Sequence, residues 1–255
     1  MINKYLPTII RLLILLLSFD VLTGCSLTPK QQDKVIPAQR TLSGNEGITY
    51  PMRVYDPWEG FNRSVYKFNA KFDQYVFLPV VQGYEFITPE IAQTGINNFF
   101  SNLSELSNLI NSILQLKPKS SLHALSRFLI NSTLGIAGLW NHASTWGILE
   151  YQEDFGQTLG HYGAGDGPYL VVPIMGPMNA RDGFGLLVDS LAYNVVYWSA
   201  FNLSSHQVAG AAFSLTRAIN IRKQTKFRYY QSGSPFEYDL VRYLYTQSRK
   251  LQIAK

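Results

Sequence analysis

The most reactive side chain in this sequence is the thiol of Cys25, the one cysteine among 255 residues. It closes Leu22-Thr23-Gly24-Cys25, behind a short apolar run at 12–17 and a weakly basic start at Lys4 and Arg11. Small residues at 23 and 24 leave room for a peptidase, and a thiol there can carry a thioether-linked diacylglycerol. The pattern therefore predicts a lipoprotein signal over 1–24 and acylation of Cys25. An ordinary signal peptide with a stray cysteine is the alternative, and Asp20 is a charge out of pattern. The apolar run is too short to span a bilayer as a helix.

Acid–base or metal chemistry has one candidate group, His161 with Glu153, Asp154 and Asp166. A lone histidine among loop carboxylates is more often structural than catalytic. His123, His142 and His206 are scattered, and no H-E-x-x-H or G-x-S-x-G occurs. Gly163-Ala164-Gly165-Asp166-Gly167 lacks the dinucleotide spacing, and no Gly-Lys-Ser/Thr follows it. Arg181-Asp182 reads as an ion pair at a helix start. No cofactor, metal or catalytic residue is expected from these residues.

Composition points to a membrane interface. Charged residues make up 15% of the chain, well below the roughly 25% of ordinary soluble domains. Tyr and Phe are abundant, at 16 and 15. An aromatic ring with one wet end suits a lipid–water boundary, although a large-cored soluble domain would read the same way. Net charge is +5, or +4 once Lys4, Arg11 and Asp20 leave with the signal. That excess suits lipid phosphates or an acidic partner, and an exported lipoprotein does not meet nucleic acid. With Cys25 alone, the mature chain has no internal disulfide.

The elements that position these residues read as mostly helical. Residues 25–54 read as a lipidated flexible tether, and 55–255 as one domain. A first helix is expected over 61–77, from Phe61, Val65, Phe68, Phe72 and Val76, with Pro79 stopping it. A second is expected over 96–116. Its polar side holds Asn97, Asn98, Asn102, Ser104, Asn108 and Asn111, with Glu105 the one charge. Asn and Ser are poor helix formers, so such a face fits either a wet lipid path or a seam against another helix. Further helices are expected over 120–134, 182–201, 208–230 and 237–251. Glycine and proline forbid a long helix over 155–185, where 170–174 is at most briefly extended. The basic run Arg217, Arg222, Lys223, Lys226 and Arg228 could meet phosphates, or could be a solvated face.

Several of these stretches resemble one family. Asp56-Pro57-Trp58-Glu59-Gly60-Phe61-Asn62-Arg63 is similar to its D-P-x-E-G-F-N-R opening, and Asn98-Phe99 with Asn102-Leu103 to its N-F-x-x-N-L segment. The run 127–135 resembles its R-F-x-x-N-[ST]-[TI]-x-G stretch. The run from Phe155 through Gly163 to Gly167-Pro168-Tyr169, with Gly176-Pro177 and Arg181-Asp182, resembles its longest signature. The family is that of the MlaA/VacJ outer-membrane phospholipid-transport lipoproteins. Asn141 departs from it, standing where the pattern has Asp.

The resemblance implies an all-α, ring-like domain of amphipathic helices in the periplasmic leaflet of the outer membrane, around a central channel. Phospholipids misplaced in the outer leaflet would pass through it to an MlaC-type periplasmic lipid carrier, with trimeric porins holding the ring. No covalent step is implied. On this reading Asn98, Phe99, Asn102 and Asn108 shape the lipid path, and Gly163, Gly165, Gly167, Pro168 and Tyr169 form a gate loop. Two rivals are a phospholipid hydrolase using His161 and an adaptor that bridges porin and envelope.

Overall fold

The computed structural model describes residues 54–198, 201 and 207–255, all within one unit, 37–255. Cys25, the signal and the tether lie outside the described residues. The order is α1 (Glu59–Phe72), α2 (Leu78–Ile87), α3 (Glu90–Leu114), α4 (Pro118–Thr133), α5 (His142–Thr145) and α6 (Phe155–His161). Then come β1 (Tyr169–Val172), β2 (Gly176–Asn179), α7 (Ala180–Tyr193), α8 (Gln207–Gln224) and α9 (Glu237–Ile253).

Pro79 does not stop the first helix. A π-helical turn, Asp73–Phe77, follows α1, and α2 continues from it with Pro79 in its opening turn. A proline near a helix start removes an N–H that has no partner there, and the wider π turn absorbs the change. The second helix begins six residues before its apolar stripe, at Glu90 after Pro89. It ends in a left-handed cap: Leu116 has φ 56°, its N–H donates to Ile113 O (3.0 Å), and Lys117 N–H donates to Ser112 O (2.9 Å). That turn sends α4 back along α3. The helix expected over 182–201 divides into α7 and a π turn, Asn194–Trp198. The basic helix ends at Gln224, short of 230.

The one β element among the described residues is a hairpin, with Tyr169 opposite Asn179 and Val172 opposite Gly176. Pro173 lies in its turn, where no ladder donor is needed. A lone two-stranded hairpin is marginal in water, and α1 supports this one. Asn62 accepts from Val171 N–H (2.9 Å) and donates to Tyr169 O (3.0 Å). Two turns on, Asn69 accepts from Ile174 N–H (2.7 Å) and donates to Val172 O (3.0 Å). The two amides stand in for a third strand.

Beneath the hairpin, Tyr66 meets Tyr229, Tyr230 and Tyr238 edge-on, with ring centroids 4.9, 5.7 and 5.7 Å away. A second cluster gathers Phe100, Leu103 and Tyr197 with Phe99, Tyr193 and Phe213 around them. Both apolar clusters are small. The largest fully buried side chains include Arg127, Gln115, Glu105, Asn62, Asn111 and Asp239. Meanwhile Phe86, Ile87 and Ile91, at the bend from α2 to α3, are 92, 76 and 79% exposed. Buried polar groups thus stand beside an unusual number of exposed large apolar side chains. No helix among the described residues is long and apolar enough to cross a membrane.

Candidate functional site

The polar side of α3 divides into two faces with separate jobs. Asn98, Asn102 and Glu105, at steps of four and three, turn to α4 and the loop after it. Asn98 donates to Leu139 O (3.0 Å) and Asn102 to Ser132 Oγ (2.9 Å). Glu105 meets the guanidinium of Arg127, which also donates to Ser144 Oγ (3.0 Å) and Ile148 O (2.7 Å). Burial pushes the Glu105 carboxyl up, against the pull of Arg127. Asn141 caps α5 through Ser144 N–H (3.1 Å), so its amide does structural work there.

The other face, Asn97, Ser101, Ser104, Asn108 and Asn111, lines a cavity of about 1140 Å³. α7, its π turn, α8, the segment 150–157 and the end of α9 supply the remaining walls. Leu106, Ile110, Leu186 and Phe213 bring apolar surface, so the lining is amphipathic. Phe99 borders a smaller apolar pocket of about 240 Å³, with Ile96, Leu139 and Phe213. Of the four residues expected on the path, Asn108 is in the large cavity. It accepts from Glu153 N–H and donates to Glu105 Oε2, each at 3.1 Å.

None of residues 163–169 lines the cavity. Gly163 and Gly167 have φ of 87° and 68°, values that favour glycine. Arg181 pins the loop between them, donating to Ala164 O (3.3 Å) and Asp166 Oδ1 (2.8 Å), and Ala180 N–H reaches Pro168 O (3.0 Å). Tyr169 is buried in the tyrosine cluster, its N–H on Tyr55 O (2.9 Å).

The carboxylates grouped with His161 in sequence separate in space. Glu153 pairs with Lys117 (3.2 Å), Asp154 with Arg249 (2.7 Å) and Asp166 with Arg181 (2.8 Å). His161 is exposed, its ring 5.2 Å from that of Tyr162. Asp154 also caps α6 through Gln157 N–H (2.8 Å). Burial acts to raise its carboxyl, but Arg249 and Gln157 hold it below the usual range. Arg181-Asp182 is an ion pair (2.9 Å), extended by Arg249 (2.8 Å) and the Tyr245 hydroxyl (2.6 Å). Among the described residues no cluster fit for a metal ion forms.

The basic run is largely engaged. Arg222 chelates Asp73 (2.6 Å at Oδ2), and Arg228 donates to the carbonyls of Thr225 (2.6 Å) and Phe227 (3.0 Å). Arg217 instead enters the cavity and lies over the Tyr193 ring, Cζ 4.0 Å from its centre. Asp189 and Tyr193 also line the cavity. Their one signal was the four-residue step that puts both on the inner side of α7.

The described residues thus form a mostly helical domain around an amphipathic cavity. The profile of the family described as MlaA lipoprotein matches residues 54–252, and the chain belongs to that family. A Rickettsia prowazekii relative is 40% identical over 162 residues, 64% of each chain. The Escherichia coli K12 intermembrane phospholipid transport system lipoprotein MlaA is 37% identical over 153 residues, 58% of this chain and 61% of its own. The matches thus span less than two thirds of these relatives. A solved structure from work on the structural basis for maintenance of bacterial outer membrane lipid asymmetry aligns with a TM-score of 0.62. It is 29% identical, over 79% of this chain and all of its own.

Proposed function

We propose that this chain is an outer-membrane lipoprotein, anchored through Cys25, that removes phospholipid misplaced in the outer leaflet. The headgroup would travel the cavity between α3, α7 and α8 while the acyl chains follow apolar surface. An MlaC-type periplasmic carrier would receive the lipid, and trimeric porins would seat the protein. The observation that carries this reading is the polarity: a cavity lined by Asn, Ser and a few charged side chains inside, and Phe86, Ile87 and Ile91 turned outward. A polar lumen lowers the cost of moving a phosphate past hydrocarbon. The names of the relatives support the same process. No covalent chemistry is required, in keeping with relatives named as transport lipoproteins.

Asn108 would act in the wall, and Phe99 in the adjoining apolar pocket. Asn98 and Asn102 would act at one remove, by holding α3 against α4. The loop at Gly163, Gly165, Gly167 and Pro168 would be a rim, coupled to the cavity through Arg181 and α7, with Tyr169, buried in β1, anchoring its end.

The test is surface phospholipid in a Gram-negative host lacking its own family member. Expression of this chain should lower outer-leaflet phospholipid, and Cys25→Ala should not. An unchanged surface level with correctly localised protein would overturn the proposal. Fatty-acid release by purified protein, lost in His161→Ala, would replace it with hydrolysis.

A further inference from the structure

Six charged side chains line the cavity: Glu150, Glu153, Asp154, Asp189, Arg217 and Arg249. Four are in ion pairs, Glu150 with Arg127 (3.5 Å), Glu153 with Lys117, and Asp154 with Arg249. Asp189 and Arg217, of opposite sign, have no ionic partner among the described residues. Asp189 takes neutral donors, Asn111 Nδ2 (3.2 Å) and Phe155 N–H (2.9 Å). Arg217 has the Tyr193 ring. Asp189 and Tyr193 are four residues apart on α7, so their side chains neighbour each other, about 5–6 Å between Cβ atoms. Arg217, from α8, thus reaches α7 one helical turn along from Asp189, in the same cavity.

Two polar atoms beside them are also unused. The Tyr193 hydroxyl and Asn220 Oδ1 are buried without a hydrogen-bond partner, and both residues line the cavity. A buried polar atom without a partner is costly, and a ligand removes that cost. Tyr193 can donate to a phosphate oxygen and Asn220 Oδ1 can accept from an ammonium. Burial raises the Asp189 carboxyl, against the pull of its hydrogen bonds from Phe155 N–H and Asn111.

We infer that Arg217 and Asp189 form a two-point subsite for a zwitterionic headgroup, with the phosphate on Arg217 and the ammonium on Asp189. This rests on the phospholipid-transport reading and adds to it a substrate class. A phosphoethanolamine headgroup carries its charges across a two-carbon link and satisfies both groups. A phosphoglycerol headgroup satisfies Arg217 alone and leaves Asp189 without a cation. A free phosphate ion does the same.

The full lipidated protein would be equilibrated with mixed micelles of phosphatidylethanolamine and phosphatidylglycerol, and retained lipid counted by mass spectrometry. The wild type should favour phosphatidylethanolamine. Arg217→Gln should lower retention of both lipids by roughly tenfold, the scale of one charge-assisted contact, and Arg217→Lys should recover part of it. Asp189→Asn should equalise the two lipids while still retaining phosphatidylglycerol. Phosphoethanolamine should displace lipid better than inorganic phosphate; equal displacement would assign a simple anion site and overturn the two-point subsite. Retention unchanged in Arg217→Gln would overturn it too. Should Asp189→Asn misfold, the wild-type ratio decides, and a ratio of one overturns the inference. No phospholipid retained by any form, wild type included, would instead bring down the transport reading itself.

Discussion

Between α1 and α9 every guanidinium has a carboxylate. Arg63 meets Glu59 (2.7 Å) and Asp239 (2.9 Å), while Arg242 meets Asp56 (2.9 Å) and Asp239 (2.7 Å). The Tyr238 hydroxyl closes the lattice on Asp56 at 2.5 Å. On the cavity wall, Arg217 and Asp189 are left without ionic partners. A chain with 15% charged residues thus uses them in two ways. In the first region charges are mutually neutralised and the side chains fix helix positions. In the second, Arg217 and Asp189 form no ion pair among the described residues and are the two groups we infer to meet a headgroup. The contrast teaches that pairing, not burial alone, separates the charges that fix helices here from those left over for another role.

The hardest test of that contrast is Arg242→Leu. Arg242, Asp56 and Asp239 are almost fully buried, so removing the cation leaves Asp56 without an ionic partner and Asp239 with Arg63 alone. A loss of roughly 3–5 kcal/mol is expected by denaturant unfolding in detergent. A loss under about 1 kcal/mol would show that the lattice does not hold α9 to α1.

A smaller effect is expected where helices rather than charges touch. A Cβ on Gly185 of α7 would meet Gly156 N of α6 at 2.3 Å, backbone that cannot step aside. Gly185→Ala should cost about 1–3 kcal/mol by overpacking. Gly83→Ala, with nothing within 4 Å, should stabilise α2 by about 0.5–1 kcal/mol. Equal effects at the two positions would remove the α6–α7 contact from the features that shape the cavity.

The helices were legible because their apolar stripes are long and periodic: α4 and α9 fall within two residues of expectation. What escaped was tertiary. Pro79 reads as a stop, yet the π turn before it carries the chain on. The hairpin is invisible to strand patterning because its third edge is made by Asn62 and Asn69, side chains of a helix. The polar stripe of α3 signals a wet face but not its division, because Asn98 and Asn97 look alike until α4 claims one of them. The pairing that separates Asp154 from Asp189 depends on Arg249, 60 residues beyond the nearer of the two in sequence.

Arg217→Gln tests the other half of the comparison. A half-buried cation over one ring contributes about 0.5–1 kcal/mol, so stability should change by less than about 1 kcal/mol while lipid retention falls. A stability loss near that of Arg242→Leu would make Arg217 a structural residue after all.

The subtlest effect is on pH dependence. The Asp154 carboxyl is held below its unfolded value, near 3.9. Its contribution is therefore present above about pH 4 and is lost as pH falls through the folded value. Glu105 has the opposite sign: its raised carboxyl favours the fold below its unfolded pKa, and that advantage disappears as pH rises through the folded one. Asp154→Asn should flatten the acid limb of an unfolding profile below about pH 4 and leave the neutral plateau's slope unchanged. An acid limb as steep as wild type would show that the Asp154–Arg249 pair does not differ in protonation between the folded and unfolded chain. The Asp154–Arg249 pair would then leave the committed charges, and Asp182 alone would hold Arg249 at the cavity wall.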